Sequence, residues 1–112
     1  MDMTTEQIGD VTVVELHGEH LDAGVAEEFK HDIAPVLDAN SKVILDLSQL
    51  QFVDSAGIGA ILSCLRRLNA AGGNLKLAGV TKSVRGTFEI TRMHRLFDIF
   101  TTRDEAVRAF AQ

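Results

Sequence analysis

A short polar step, Asp54-Ser55-Ala56-Gly57, lies between two apolar runs and carries the side chains of this sequence that are best suited to a reaction. Ser55 offers a hydroxyl that can accept a phosphoryl group, which adds about 1.5 to 2 negative charges at pH 7. If a helix begins here, those charges meet free backbone N–H groups and the positive end of the helix dipole. The step is therefore a candidate phosphorylation site whose modification the fold would tolerate.

A structural role competes with this interpretation, because serine and aspartate are both preferred helix N-caps. On composition alone, capping by Ser55 or Asp54 is favoured. The helix that follows has an apolar stripe, formed by Ile58, Ile61, Leu62, Leu65 and Leu68. Its opposite side carries almost no side chains for two turns. The helical spacing predicts that Ala60 lies on that bare side.

Gly59 lies in this bare region, where glycine costs about 0.5–1 kcal/mol relative to alanine. Two explanations would account for this glycine: a partner's backbone approaches Gly59 closely, or Gly59 packs tightly inside the protein. The sequence leaves both explanations open. On the first alternative, a partner docks on a ledge formed by Ala56, Gly57, Gly59 and Ser63.

Other chemistry has weaker support in this sequence. The pair Gly57-x-Gly59 lacks the third glycine of a dinucleotide fingerprint and the Lys-Ser/Thr of a P-loop, so nucleotide binding is disfavoured. The step is not the G-x-S-x-G nucleophile elbow, and the four histidines are scattered along the chain. We predict no catalytic residue and no metal ligand, and Cys64 reads as a small buried thiol within an apolar helix.

Length and composition limit the classes of protein to which this chain can belong. A length of 112 residues suits one domain, residues 1–112. The net charge of -5 and the absence of Trp and Tyr argue against a nucleic-acid-binding surface. The polar N-terminal stretch has no signal-peptide pattern, and no apolar run approaches the ~20 residues that cross a membrane. We therefore expect a cytoplasmic protein without direct membrane insertion, and a monomer or weak dimer.

Alternating strand and helix periods predict a mixed α/β fold that positions the step. An initial antiparallel hairpin turns at Gly9-Asp10, and the later strands are parallel, in the order β-β-α-β-α-β-α-β-α. Asp22 is the expected N-cap of the first helix, and Thr102 of the last. We predict strands at residues 3–8, 11–18, 42–48, 74–80 and 95–100, and helices at 23–39, 56–71, 81–92 and 101–111.

The run "DLSQLQFVDSAGIGAIL" resembles the signature of the STAS domain, specifically of the bacterial anti-sigma factor antagonists. "GEHLDAGVAEEF", "GGNLKLAGV" and "RLFDIFTTRDEAVRAF" extend the resemblance over essentially the whole chain. It implies a mostly parallel mixed sheet with helices mainly on one side. It also implies that Ser55, the serine of the D-S-[AS]-G motif, is phosphorylated by an anti-sigma factor that is also a serine kinase. The unmodified protein would bind that kinase and release the sigma factor, and a serine phosphatase would reset the switch.

On this interpretation the protein is a binder and a substrate, with no cofactor of its own, because ATP and Mg²⁺ belong to the kinase. Asp22 and Asp54 would shape the site around Ser55. Two alternatives remain open: a STAS subunit of another assembly, such as a lipid-transport or sensory complex, and a small nucleotide-binding domain.

Overall fold

The structure, a computed structural model, describes residues 1–111, which form seven strands, four α-helices and one 3₁₀ turn. In chain order these elements are β1 (Met3–Ile8), β2 (Val11–Leu16), β3 (His20–Leu21), α1 (Ala26–Ala39), β4 (Lys42–Asp46), β5 (Phe52–Val53), α2 (Ser55–Ala70), β6 (Asn74–Ala78), α3 (Lys82–Ile90), the 3₁₀ turn (Met93–Arg95), β7 (Asp98–Phe100) and α4 (Arg103–Phe110).

The five longer strands form one sheet in the order β1-β2-β4-β6-β7. The pair β1–β2 is antiparallel, and its turn uses Gly9 at a φ of 61°, a conformation that glycine adopts without strain. The other three pairs are parallel, with Val14 opposite Leu45 and Leu45 opposite Leu77. This arrangement confirms the predicted mostly parallel sheet with one initial antiparallel strand.

The two faces of the sheet bury different amounts of apolar surface. On one face, side chains of β2, β4 and β6 pack with α1, α2 and α3 in a core that includes Phe29, Ile61 and Phe88. On the other face, α4 covers a smaller cluster built around Ala106. Three of the four helices therefore share one face, as predicted.

The helix α4 is also held by charge. Arg103 donates to Asp46 (2.5 Å) and Glu6 (3.0 Å), and it forms a third ion pair with Glu15. Burial alone would raise the pKa of Asp46, but hydrogen bonds from Ser48 and Arg103 hold it below its ordinary value. Thr102 caps α4 by accepting a hydrogen bond from the Glu105 N–H, which confirms the predicted cap.

Three local predictions differ from the structure. The helix α1 begins at Ala26, and Asp22 is not its N-cap, because the chain makes a turn at residues 22–25 before it becomes helical. The strand predicted at residues 95–100 is shortened to β7 by the 3₁₀ turn, which follows Arg92 at a φ of 60°. The two-residue strands β3 and β5 were not predicted, because such short parallel pairings leave no periodic pattern.

Candidate functional site

Asp54 lies between β5 and α2 and is the N-cap of α2. The Gly57 N–H donates to Asp54 Oδ1 (2.9 Å), and the Ala23 N–H donates to Asp54 Oδ2 (3.0 Å). The hydrogen bond from Gly57, assisted by those from Ala23 and Ala56, lowers the pKa of Asp54 despite the opposing effect of burial. Asp54 is thus a charged carboxylate that begins the helix and ties it to the loop after β3.

Ser55 is the first residue of α2 and is not the cap. Its side chain is exposed and makes no hydrogen bond with any other residue in the range 1–111. The capping role that composition favours for a residue at this step therefore belongs to Asp54. The Ser55 hydroxyl stands free at the positive end of the helix dipole.

The neighbouring glycine, Gly57, faces into the protein. A Cβ at this position would lie 2.0 Å from the Leu21 carbonyl oxygen and 2.7 Å from Val53 Cγ2. Only glycine lets β3 approach the first turn of α2 so closely. The prediction that Gly57 belongs to an exposed docking ledge is therefore wrong, because its direction around the helix points it at the β3 backbone.

Gly59 faces the opposite way. A Cβ at Gly59 would meet nothing within 4 Å, and the residue is exposed. Tight internal packing, one of the two explanations left open for this glycine, is thereby excluded. Ser63 is also exposed, so Ser55, Gly59 and Ser63, spaced by four residues, form one surface that we call the open face of α2.

Other positions on α2 refine this surface. Ala56 is half-buried and so lies at the edge of the open face. Ala60, which was expected to point outward, is 2% exposed and belongs to the core. Leu62, assigned to the buried stripe, is only partly buried and packs against the edge of the core. The helix is thus rotated slightly from the orientation that its apolar pattern predicts.

Asp22 lies beside the step because the loop after β3 is tied to Asp54 through Ala23. The Gly24 N–H donates to Asp22 Oδ1 (3.0 Å), so the side chain of Asp22 stabilises this turn. The structure therefore brings Asp22, Asp54 and Ser55 together, although Asp22 does so from a turn and not from a helix end.

One further residue near the step, Phe52, is not predicted by the sequence pattern. Phe52 is 49% exposed, and its ring lies 6.1 Å from that of His20 across the β3–β5 pair. The only available signal was the placement of an aromatic residue two positions before the polar step. An exposed aromatic ring beside Ser55 gives the site an apolar anchor of the type common in protein interfaces.

The structure offers little support for small-molecule chemistry at the step. Because Gly57 faces the Leu21 backbone, the Gly57-x-Gly59 pair is not a loop that could surround a phosphate. A cavity of about 280 Å³ lies elsewhere, lined by Ser41, Lys42, Gly72, Gly73, Asn74, Lys76, Ala109 and Phe110. Both of its lysines are engaged in ion pairs, Lys42 with Asp10 and Lys76 with Asp98.

The described part of the chain has a buried thiol but no grouped metal ligands and no membrane-spanning helix. Within residues 1–111, no three His, Cys, Asp or Glu side chains are grouped so that they could hold a metal ion. Burial raises the pKa of Cys64 to about 12, so its thiol stays protonated, in agreement with its predicted place in the core. None of the helices in the described part of the chain has both the length and the apolar character needed to span a bilayer.

Comparison with known proteins places these features in context. The STAS domain matches residues 2–106 of the chain. BtrV of Bordetella bronchiseptica, by name a candidate anti-sigma factor antagonist, is 29% identical over 111 residues, which cover 98% of this chain and 95% of BtrV. A crystal structure of a candidate anti-sigma factor antagonist from Thermotoga maritima has a TM-score of 0.87 at 24% identity and shares the fold over 98% of this chain and 95% of that one.

The solved structures that are similar to this chain also include SpoIIAA, an anti-sigma factor antagonist, in two forms. The unphosphorylated form has a TM-score of 0.79 at 25% identity, covering 98% of this chain and 96% of SpoIIAA. The phosphorylated form, from Bacillus, has a TM-score of 0.71 at 24% identity, covering 97% of this chain and 99% of SpoIIAA.

Proposed function

The chain belongs to the STAS domain family, and from this premise we propose that it is an anti-sigma factor antagonist controlled by phosphorylation of Ser55. In the unmodified form it binds an anti-sigma factor that is also a serine kinase, and the sigma factor is released. The phosphorylated form no longer binds, and a serine phosphatase restores the first form. The protein acts as a binder and a substrate in this cycle.

The observation that carries the proposal is the exposed Ser55 hydroxyl on the first turn of α2, free of the capping bond that Asp54 makes instead. A phosphate there would extend into solvent beside the helix N-terminus, where negative charge is stabilised. The fold would therefore tolerate the modification. A partner docked on the open face of α2 would instead meet new bulk and charge, next to the carboxylate of Asp54.

The surroundings of Ser55 suit recognition by another protein. Gly59 and Ser63 let a partner's backbone come close, and Phe52 supplies an apolar contact at the edge. Asp54 holds the loop after β3 against α2 and Asp22 stabilises the turn within that loop, so that the surface is ordered before a partner arrives.

The transfer itself requires only an accessible hydroxyl from this chain. Ser55 Oγ would attack the γ-phosphorus of the ATP bound by the kinase, forming the ester bond as the bond to ADP breaks. The hydroxyl proton would pass to a base of the kinase, and the kinase's Mg²⁺ would neutralise the phosphate charge.

The related proteins support the proposal. SpoIIAA is an anti-sigma factor antagonist that exists in both unphosphorylated and phosphorylated forms, and its fold extends over nearly the whole of this chain. BtrV carries the same assignment and aligns with nearly the full length of this chain.

The test is phosphate incorporation with the cognate kinase and ATP, measured by intact mass. The wild-type protein is expected to gain one phosphate and Ser55→Ala none. Ser41→Ala is the matched control, because Ser41 is also an exposed serine but lies before β4, away from the open face of α2. Undiminished incorporation by Ser55→Ala would contradict the proposal.

A further inference from the structure

A second surface, on α3 and the 3₁₀ turn, differs in charge from the rest of the molecule. Residues 81–97 contain four basic residues and one acidic residue, a net charge of +3. The whole chain has 11 basic and 16 acidic residues, which leaves seven and 15 outside this segment, a net charge of -8. Positive charge is thus concentrated in one short stretch of an acidic protein.

The basic side chains of this stretch are free. Lys82, Arg85, Arg92 and Arg95 are exposed, and none of them forms an ion pair with any residue in the range 1–111. Elsewhere in the described chain, five of the seven basic residues do form ion pairs: Lys30, Lys42, Arg67, Lys76 and Arg103. The contrast shows that these four charges are not used to hold the fold together.

Two large apolar side chains are exposed in the same stretch. Ile90 is 85% exposed and Leu96 is 51% exposed; with Phe52 they are the large apolar residues that the described chain leaves most open to solvent. Gly86 of α3 is half-buried, but a Cβ there would meet nothing within 4 Å, so internal packing does not require a glycine. The surface combines apolar anchors, arginines and room for close approach.

We propose that Lys82, Arg85, Ile90, Arg92, Arg95 and Leu96, which we call the basic surface, bind an acidic segment of another protein that carries apolar side chains. Three of the four cations are arginines, whose planar guanidinium groups pair with carboxylates in a bidentate way. Ile90 and Leu96 supply exposed apolar side chains in the same stretch as these charges, and protein interfaces commonly combine the two.

An anionic membrane fits these observations less well. Each basic residue near such a membrane contributes about 1 kcal/mol, and the net charge of -8 on the rest of the chain opposes the approach. Only two apolar side chains are available to enter the lipid. A nucleic acid is disfavoured as well, because Phe88, the aromatic residue of α3, is fully buried and offers no stacking surface.

The apolar residue Ile90 of the basic surface lies on the part of α3 that is farther from β5. The N-terminal end of α3 is fixed beside the chain before β5, where Thr81 donates to the Leu50 carbonyl (2.7 Å) and Ser83 to the Gln51 carbonyl (2.8 Å). Ile90 lies seven residues further along α3, which at 1.5 Å per residue is roughly 10 Å from Ser83 along the helix axis. Binding there is therefore expected to be independent of the state of Ser55.

The test is a titration of ¹⁵N-labelled protein with an amphipathic helical peptide that has Leu on one side and Glu on the flanks. Amide shifts are expected along α3 and the 3₁₀ turn. The same peptide with Gln in place of Glu is expected to bind about tenfold more weakly, a loss of ~1.4 kcal/mol. Shifts confined to other parts of the molecule, or equal binding of both peptides, would overturn the proposal.

Charge reversal supplies the matched comparison. Arg85→Glu/Arg95→Glu is expected to weaken the Glu peptide at least about tenfold. The control pair Arg66→Glu/Arg108→Glu changes the net charge by the same amount at exposed sites outside the basic surface, and it is expected to retain most of the affinity. An equal loss in both pairs would show a general charge effect and would contradict a defined surface.

Two further arms separate the remaining outcomes. Ile90→Ser, at a position that contributes little to the core, is expected to weaken peptide binding without lowering the melting temperature. Ser55→Asp is expected to bind the peptide with the affinity of the wild type. Peptide binding therefore tests the basic surface independently of the switch proposed for Ser55. Binding to phosphatidylserine vesicles that is lost in Arg85→Glu/Arg95→Glu, without peptide binding, would assign the surface to membranes and overturn the proposal.

Discussion

The first turns of α2 have two sides that differ in packing and exposure although their residues alternate along the chain. The inward side is formed by Asp54 and Gly57, which bind the loop after β3 and the β3 backbone. The outward side is formed by Ser55 and Gly59, which contact almost nothing. The two pairs are similar in residue type, since each combines a polar residue with a glycine. Asp54 and Gly57 make contacts that fix the start of the helix, whereas Ser55 and Gly59 stay exposed.

On the proposed function, this difference explains how a switch could be placed here without loss of stability. The side-chain bonds that cap the helix and tie it to the loop after β3 are made by Asp54, so a change of side chain on the outward side leaves the cap and the β3–α2 contact intact. If this division is correct, equivalent substitutions on the two sides will have opposite consequences.

The largest effect is expected for Gly57→Ala. The new Cβ would overlap the Leu21 carbonyl oxygen, so the backbone of β3 or α2 must shift, at a cost of about 3 kcal/mol or more in the free energy of unfolding. Denaturant unfolding measures this loss. A stability equal to that of the wild type would show that Gly57 does not join the two elements.

Ser55→Asp is expected to weaken binding to the anti-sigma factor kinase more than a hundredfold, since each ~1.4 kcal/mol of lost interface energy is tenfold in affinity. Calorimetric titration measures the affinity. The melting temperature should stay close to that of the wild type, because the substituted side chain faces solvent at a helix N-terminus. A large loss of stability would instead show that the Ser55 side chain contributes to the fold, as Asp54 and Gly57 do.

Asp54→Ala is expected to lower the melting temperature, whereas Ser55→Ala is expected to leave it nearly unchanged, because only Asp54 supplies the cap. The lowered pKa of Asp54 means that the folded protein binds its proton more weakly than the unfolded chain does. Its contribution is therefore fully present above the ordinary value of 3.8 and is lost as the pH falls through the folded-state pKa.

Thermal unfolding of wild type and Asp54→Ala across acidic pH checks this sign. The gap between their melting temperatures should be widest near neutral pH and should close at low pH. A gap that widened on acidification would mean that the carboxylate is not stabilised by the backbone N–H groups it faces.

Gly59→Ala gives the smallest effect and the sharpest contrast with Gly57→Ala. Since a Cβ there meets open space, the substitution should stabilise the protein by about 0.5–1 kcal/mol through improved helix propensity. It should at the same time weaken kinase binding, because a methyl group now stands on the open face of α2. A gain in stability with unchanged affinity would show that the kinase does not contact the open face of α2 at Gly59.

Much of the fold followed from patterns within single segments. The apolar run of β4, the hairpin at Gly9 and the capping residue Thr102 each leave a local signal that needs no knowledge of the rest of the chain. The short pairing of β3 with β5 and the late start of α1 could not be found in this way, because both depend on hydrogen bonds between segments about 30 residues apart, such as that from the Ala23 N–H to Asp54.

Local patterns in the chain are enough to predict that a serine stands at the start of a helix after a central strand, because capping preference and apolar period are local properties. They do not tell which residue caps that helix or which glycine faces the interior. Both follow from long-range packing, since β3 approaches α2 from one direction and so brings Asp54 and Gly57 into the contact. Ser55 and Gly59 remain exposed because no segment of the described chain covers them.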